Sequence, residues 1–250
     1  MSQSCHRFVF FNPKPKNPSP TISFPLFPLP TFGKYRWLTY VWISDTFVSM
    51  NLSWRDRLTE YIREQAHPLE KFSHQPRLYT LTQLVGEGVS YDDDVVFAAV
   101  WLHDLGVFSG HRPNDLEQLM RWDNTAYAMQ QTPFLLERFD FPPNKIPAVV
   151  EAIRTHQPAN NPTTVEAEIL RDADILEQLG AVAVMRTTCK IGRDTRFHTF
   201  SHAADSLRSA AGTLPGLLRL PRAKQLAQPR IATLHHFLAS LEQEAGAYLD

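Results

Sequence analysis

An apolar run that ends in a histidine–aspartate pair is the feature that most limits how this chain can fold. The run, VVFAAVWLHDLG, covers residues 95–106. Three aspartates at 92–94 precede it and are typical of a helix N-terminus, and Gly106 is a typical helix stop. The sequence therefore predicts a buried central helix here. Because an ionised Asp104 is costly to desolvate at the end of such a run, we expect it to be paired with a charge or bound to a metal.

Helical periodicity continues through the rest of the chain after residue 50. Ser53, with Asp56 three residues further on, predicts the N-cap of a first amphipathic helix. The remaining helices are predicted at 68–86, from Asp115 to Gln130, from Pro143 or Asn144 to His156, from a capping box of Thr163 and Glu166 to Gly180, at 181–191 as a second buried helix, and at 221–248. No alternating strand pattern of useful length appears, so the expected fold class is all-α.

Residues 1–49 differ from the rest of the chain. Seven prolines lie between residues 13 and 30 and exclude a helix there, and the first acidic residue is Asp45. A basic, acid-poor start is one feature of an organelle transit peptide, although the prolines argue against the amphipathic helix that such peptides use. The alternative is that the protein starts at Met50. We therefore expect residues 1–49 to be a Pro-rich extension, disordered or not part of the mature protein, and residues 50–250 to form one domain.

Composition excludes several classes of protein. The formal net charge is −1, so nothing favours a nucleic-acid partner. Two cysteines, Cys5 and Cys189, give neither a disulfide framework nor a CxxC zinc pattern, which fits a reducing compartment. No apolar run is long enough for a transmembrane helix. We expect a cytoplasmic protein, with organelle targeting by residues 1–49 left open.

Polar residues with metal-binding chemistry recur on separate predicted helices. His74 comes first, the pair His103–Asp104 ends the apolar run, and Asp172 and Asp174 lie in LRDADILEQLGA. Taken singly, a histidine at a helix end is more often a cap or a surface residue, and a buried aspartate is more often an ion-pair partner. A cation held between the helices would satisfy several of these groups at once. Mixed imidazole and carboxylate ligands suit Mn, Fe, Co, Ni or Zn better than Ca.

These motifs carry a resemblance to a known family. Residues 51–246 resemble the HD-domain superfamily of metal-dependent phosphohydrolases. The resemblance rests on the H-x-x-R pattern of His74 and Arg77, on the VVFAAVWLHDLG run, and on ILRDADILEQLGAVAVMR at 169–186. This last stretch is similar to the DAD-x-L-x-x-LGA signature of small bacterial HD hydrolases. The resemblance implies an all-α helical bundle with a buried metal site.

By motif matching, the resemblance implies that the metal ligands are His74, His103, Asp104 and Asp174. Asp174 is preferred to Asp172 because the second aspartate of DAD fits the family pattern. The two aspartates also differ by about 200° around a helix axis and cannot both face one metal. Asp172 is then a supporting or surface residue.

The resemblance also implies an activity. A water molecule activated by the metal would attack a phosphoryl group, with His103 and Asp104 as the catalytic pair. The substrate is expected to be a nucleotide or a related small phosphorylated metabolite, and the cofactor a divalent ion (Mn, Fe, Co, Ni, Zn or Mg). Arg77 and Arg112 are candidate ligands of the substrate phosphate. No nucleic-acid or membrane partner is expected, and a homodimer is left open.

Four other residues have weaker assignments. His111 and His156 lie between the HD pair and the last aspartate, where some relatives bind a second metal. They are candidates for a second metal or for the substrate phosphate, and ordinary loop histidines are the alternative. Lys190 and Arg193 are further candidate phosphate ligands.

The extra histidines keep a second function open, a di-iron oxygenase on the same fold. A third is a non-catalytic nucleotide-binding protein.

Overall fold

The computed structural model describes residues 52–68, 71–192 and 197–249 of the chain. These residues form ten α-helices and three short 3₁₀ segments and contain no β-strand, which confirms the all-α fold. The predicted N-terminal extension, residues 1–49, lies outside them. The helices are α1 (Trp54–Gln65), α2 (His74–Val85), α3 (Asp93–Leu102), α4 (Leu116–Met120), α5 (Asn124–Arg138), α6 (Ile146–Thr155), α7 (Val165–Glu177), α8 (Ala181–Thr188), α9 (Phe200–Thr213) and α10 (Pro221–Ala245).

Helix α3 lies at the centre of the bundle, as its sequence predicts. Its last eight residues, Val95 to Leu102, are all buried, and the helix packs against α1, α2, α6 and α7. The regular helix ends earlier than expected, before the HD pair, and a 3₁₀ turn follows at Leu105–Val107. His103 and Asp104 therefore lie where the helix changes into this turn. The change of geometry brings the polar pair out of the apolar helix while keeping it inside the protein.

The first helix forms as predicted. Ser53 Oγ accepts a hydrogen bond from the amide of Asp56 (3.2 Å), and the Asp56 carboxylate accepts one from the amide of Ser53 (3.1 Å). This is a reciprocal capping box. Trp54 then packs edge-on against Phe97 (ring centroids 5.4 Å apart) and Phe141 (4.8 Å). These contacts attach α1 to the central helix.

The start of α7 differs from the prediction. The predicted capping box paired Thr163 with Glu166, but the N-cap is Thr164, which accepts a hydrogen bond from the amide of Ala167 (3.3 Å). Glu166 instead accepts a hydrogen bond from the amide of Asp92 (3.0 Å), at the N-terminus of α3. The glutamate thus joins the starts of two helices that carry metal-ligand candidates.

The single helix predicted from Asp115 is two helices, α4 and α5. The helix is interrupted near Trp122, whose indole N–H donates to the carbonyl of Gly106 (2.8 Å). Asp123 begins α5 as an N-cap, accepting a hydrogen bond from the amide of Ala126 (2.9 Å). An aspartate that can cap a new helix favours a break at this point over one continuous helix.

Two further helices, α2 and α9, differ from the sequence analysis. Helix α2 was predicted from residue 68 but begins at His74, after a turn in which the amide of Lys71 donates to the carbonyl of Pro68 (2.9 Å). Helix α9 was not predicted at all. No helix among the described residues is both long and apolar enough to span a membrane.

Helix α8 forms as predicted, but it is not a buried helix. Val182 is 39% exposed and Met185 is 63% exposed, and Ala183 is the residue of this helix that is buried. The apolar side chains lie on a surface instead of in the core. Apolar composition alone does not distinguish these two environments.

Asp172 is not a surface residue, because its carboxylate is fully buried. Its Oδ2 atom accepts hydrogen bonds from the amides of Arg219 (2.9 Å) and Leu220 (2.7 Å), immediately before the first residue of α10. The guanidinium of Arg171 lies 3.4 Å from Oδ1. Asp172 therefore acts as a cap supplied by α7 to the start of α10, and it faces away from the metal-ligand candidates.

We expect Asp172→Ala to lower the free energy of unfolding by about 3–5 kcal/mol, because it leaves the buried charge of Arg171 without its adjacent carboxylate and two amides without their acceptor. Asp172→Asn keeps one acceptor oxygen and should lose less, about 1–3 kcal/mol. The measurement is urea denaturation of the metal-free protein. The control is Glu244→Ala, an exposed acid, which should lie within about 0.5 kcal/mol of the wild type. An Asp172→Ala variant as stable as this control would contradict the assignment.

Candidate metal centre and active-site cavity

The four predicted ligands meet at one point in the core. His74 begins α2, His103 and Asp104 follow α3, and Asp174 lies within α7. The Nε2 atom of His74 lies 3.4 Å from Nε2 of His103, 3.7 Å from Oδ2 of Asp104 and 3.7 Å from Oδ1 of Asp174. His74, His103 and Asp174 each offer a ligand atom, and these atoms lie within 4.8 Å of one another.

The hydrogen bonds on the far side of each ring define the tautomers. The Nδ1 atom of His103 lies 2.8 Å from the carbonyl oxygen of Val100, and Nδ1 of His74 lies 3.3 Å from Oε2 of Glu177. These oxygens only accept hydrogen bonds, so each Nδ1 carries the proton. Burial also holds the pKa of His74 below its usual value, which favours the neutral ring. In the neutral rings that a metal binds, each Nε2 atom therefore presents a lone pair.

Such a cluster fits a divalent cation. Two imidazole lone pairs and two carboxylates face one another, and these groups repel unless a positive charge lies among them. Two imidazoles with two carboxylates form a donor set typical of Mn, Fe, Co, Ni or Zn. Among the described residues, one group of three or more histidine, cysteine or acidic side chains could share a metal ion, and it consists of His74, His103 and Asp174.

Asp104 belongs to this cluster and also lines the cavity beside it. Burial alone would raise the pKa of its carboxyl, but the neighbouring His103, His74, Lys71 and Arg186 lower it well below its usual range. The carboxylate is therefore ionised at neutral pH. It lies 3.7 Å from Nε2 of His103 as well as from Nε2 of His74.

Glu177 is a site residue that the sequence analysis missed. It is buried, and Oε2 accepts from Nδ1 of His74, from Nη2 of Arg77 (3.2 Å) and from Nη1 of Arg186 (3.1 Å). Burial raises the pKa of this carboxyl, but its hydrogen bonds outweigh that effect and lower the pKa to about 2. One signal could have found it, since it follows Asp174 by three residues and so lies on the same side of α7.

A cavity of about 650 Å³ opens beside the ligand cluster. Its wall contains His74 and Asp104 together with cationic, small polar and apolar side chains. The cationic residues are Lys71, Arg77, Arg112, Arg186 and Lys190, and the apolar ones are Pro68, Ala181, Val182 and Met185. Both predicted phosphate ligands, Arg77 and Arg112, therefore lie on this wall, as does Lys190. Arg193 lies outside the described residues.

His156 lies against the ligand cluster. Its ring centroid is 5.1 Å from that of His103, and the ring is buried. Its Nδ1 atom lies 2.6 Å from the carbonyl oxygen of Ile153, which repeats the contact that His103 makes with its own helix. Burial, followed by the effect of His103, lowers the pKa of His156. It therefore resembles His103 in its burial and in the backbone contact of its Nδ1 atom.

His111 has a different setting. Its Nδ1 atom lies 2.8 Å from the hydroxyl of Tyr127, and its Nε2 atom lies 3.0 Å from Oε1 of Gln65. Both ring nitrogens are thus engaged by protein groups. These contacts involve none of the four ligand candidates, so the structure groups His156, but not His111, with the HD pair.

No protein-family model matches the chain, and no curated protein matches it by sequence. Similar solved structures do exist. YpgQ of Bacillus subtilis has a TM-score of 0.61 and 19% identity over 79% of this chain and 98% of its own. The same protein in complex with ADP gives 0.60 and 19% over 78% and 96%. A predicted HD superfamily hydrolase from an uncultured Thermotogales bacterium gives 0.55 and 20% over 80% and 98%. These likenesses identify the fold of the chain as that of the HD-superfamily hydrolases.

Proposed function

We propose that the protein is a metal-dependent phosphohydrolase that acts on a nucleotide or a related small phosphorylated metabolite. One observation carries the proposal. The cluster of His74, His103, Asp104 and Asp174 adjoins a cavity whose wall holds five cationic side chains. A cation site next to an anion-binding wall is the arrangement that hydrolysis of a phosphate ester or anhydride requires.

The four residues differ in what they contribute. Three residues would hold the ion: His74 at the start of α2, His103 directly after α3, and Asp174 within α7. A divalent ion bound there supplies a Lewis acid that polarises a phosphoryl oxygen and activates water for attack. Asp104, like His74, also lines the cavity. Because it is ionised, it can accept a hydrogen bond from the attacking water and orient it.

The cavity wall supports a substrate with several negative charges. Among the described residues of that wall, five are cationic and one, Asp104, is acidic; the cationic ones are Lys71, Arg77, Arg112, Arg186 and Lys190. Arginine suits phosphate because its planar fork donates two parallel hydrogen bonds. YpgQ, which shares the fold, has been solved in complex with ADP. A nucleotide is therefore the substrate class that we favour.

The apolar part of the wall suits the rest of such a substrate. Val182 and Met185 are three residues apart on α8 and expose their side chains towards the cavity. Exposed apolar side chains inside a cavity commonly bind the apolar part of a ligand. We propose that they contact the ring or chain that carries the phosphate.

The structure favours one metal over two. Among the described residues, one group of ligands is near enough to share an ion, and His111 is engaged elsewhere. His156 remains a candidate for contact with a second ion or with the substrate phosphate, since it abuts His103. The di-iron oxygenase alternative needs two irons and therefore more ligands than this group supplies.

We expect the wild-type protein, reconstituted with Mn²⁺, to bind about one ion per chain and to release phosphate from one or more members of a nucleotide panel. His103→Ala and Asp174→Ala should lose the ion, and their activity should fall by roughly 100-fold or more, because a Lewis acid is worth several kcal/mol in the transition state. Mass spectrometry of metal content and a phosphate-release assay on the same samples give both values.

The matched control for this experiment is His236→Ala, an exposed histidine on α10. It should keep wild-type metal content and activity. Variants of His103 and Asp174 that bind Mn²⁺ as well as this control would refute the metal site. A wild type with two ions per chain would restore the two-metal hypothesis.

Arg112 offers the cleaner test of phosphate binding. Arg77 is held by Glu177, whereas Arg112 has no ion-pair partner among the residues that the structure describes. We expect Arg112→Ala to raise KM by roughly 10- to 100-fold with little change in kcat, since it removes a charge-assisted hydrogen bond from the bound substrate. Arg121→Ala, an exposed arginine paired with Glu117, is the control. An unchanged KM for Arg112→Ala would exclude this residue as a phosphate ligand.

A further inference from the structure

Glu177 lies at a junction between the ligand cluster and the cavity wall. Its carboxylate is buried, and it accepts hydrogen bonds from a metal-ligand candidate and from two arginines of the wall. Burying a carboxylate costs free energy of desolvation unless hydrogen bonds and opposite charges compensate for it. An apolar side chain at this position of α7 would leave the Nδ1–H group of His74 and the two guanidinium groups without this acceptor.

We infer that Glu177 is a positioning residue for the metal ligand His74. Its carboxylate holds the Nδ1 proton and so keeps Nε2 unprotonated and directed at the other ligands. The inference rests on the proposed metal site. It follows from the geometry, because the contact is on the Nδ1 side of the ring while the ligand contacts are on the Nε2 side. A histidine ligand whose far nitrogen donates to a carboxylate is fixed in orientation and is a stronger base.

The two arginines give this carboxylate a second role. Arg77 donates through Nε to Oε1 (3.4 Å) and through Nη2 to Oε2, and Arg186 donates through Nη1 to Oε2. One carboxylate offsets only one of the two positive charges, so the pair still presents a net positive charge to the cavity. Glu177 therefore connects the orientation of a metal ligand to the position of two cations on the substrate side.

The test compares Glu177→Ala and Glu177→Gln with the wild type. The control is Glu168→Ala, which removes an ion-paired glutamate on the same helix, bonded to Arg219 (3.0 Å) and away from the cavity. The first readout is the dissociation constant for Mn²⁺, measured by calorimetry. The second is the tautomer of His74 in the metal-free protein, from long-range ¹H–¹⁵N spectra assigned with His74→Asn. Neither readout depends on catalysis.

We expect Glu177→Ala to weaken Mn²⁺ binding by roughly 10- to 100-fold and to give a mixture of His74 tautomers. Glu177→Gln keeps an acceptor oxygen but no charge, so its affinity should fall between those of Glu177→Ala and the wild type. Glu168→Ala should match the wild type in both readouts. A merely structural role would lower thermal stability in the Glu177 and Glu168 variants alike and leave the tautomer unchanged.

Two outcomes overturn the inference. One is wild-type Mn²⁺ affinity in Glu177→Ala and Glu177→Gln. The other is a His74 tautomer that stays fixed in Glu177→Ala. Should Glu177→Ala fail to fold, Glu177→Gln decides, and wild-type affinity in that variant overturns the inference. His103→Ala, measured beside them, separates the two proposals. If it also keeps wild-type affinity, the metal site itself is wrong, whereas if it loses the ion and the Glu177 variants do not, only the role of Glu177 is wrong.

Discussion

The rest of the structure depends on one constraint, the close approach of an imidazole nitrogen and two carboxylates to Nε2 of His74. Another imidazole nitrogen lies 3.4 Å away and carboxylate oxygens of Asp104 and Asp174 lie 3.7 Å away. Left without a cation, these groups oppose the folding that brings them together. The apolar helix α3 and the packing around it must therefore hold them in place, and a bound ion would turn the same repulsion into stabilisation.

Helix α7 separates two carboxylates that stand close together in sequence. Asp174 faces the ligand cluster, whereas Asp172 faces α10 and accepts the amides of Arg219 and Leu220. Two residues of an α-helix turn by about 200°, so the DAD motif supplies one chemical group to the site and one to the fold. Glu177, one turn after Asp174, returns to the ligand side. The helix is thus a polar element inside an apolar bundle, with each acid held by different donors.

The sequence predicted the all-α fold and most of its helices, because these depend on periodicity along the chain. The four ligand candidates came from the resemblance to the HD-domain superfamily, because its motifs keep a fixed order along the chain, and the structure brings the four side chains close together. Glu177 was not predicted, since a glutamate in an amphipathic helix has the same appearance whether it faces solvent or a buried histidine. Glu166 was assigned to its own helix end because its partner, the amide of Asp92, is 74 residues away. Contacts of this range are fixed by packing and leave no local signal.

Helix α8 shows a related limit, and it bears on how the site works. Its apolar residues predicted burial, yet Val182 and Met185 are exposed on the cavity wall. An apolar side chain can be removed from water either by packing in the core or by contact with a bound ligand, and its hydrophobicity does not distinguish the two. The same helix also carries Arg186, which donates to Glu177 behind the metal ligand His74. One short helix therefore offers an apolar surface to a ligand and a cation to the carboxylate that orients the metal site.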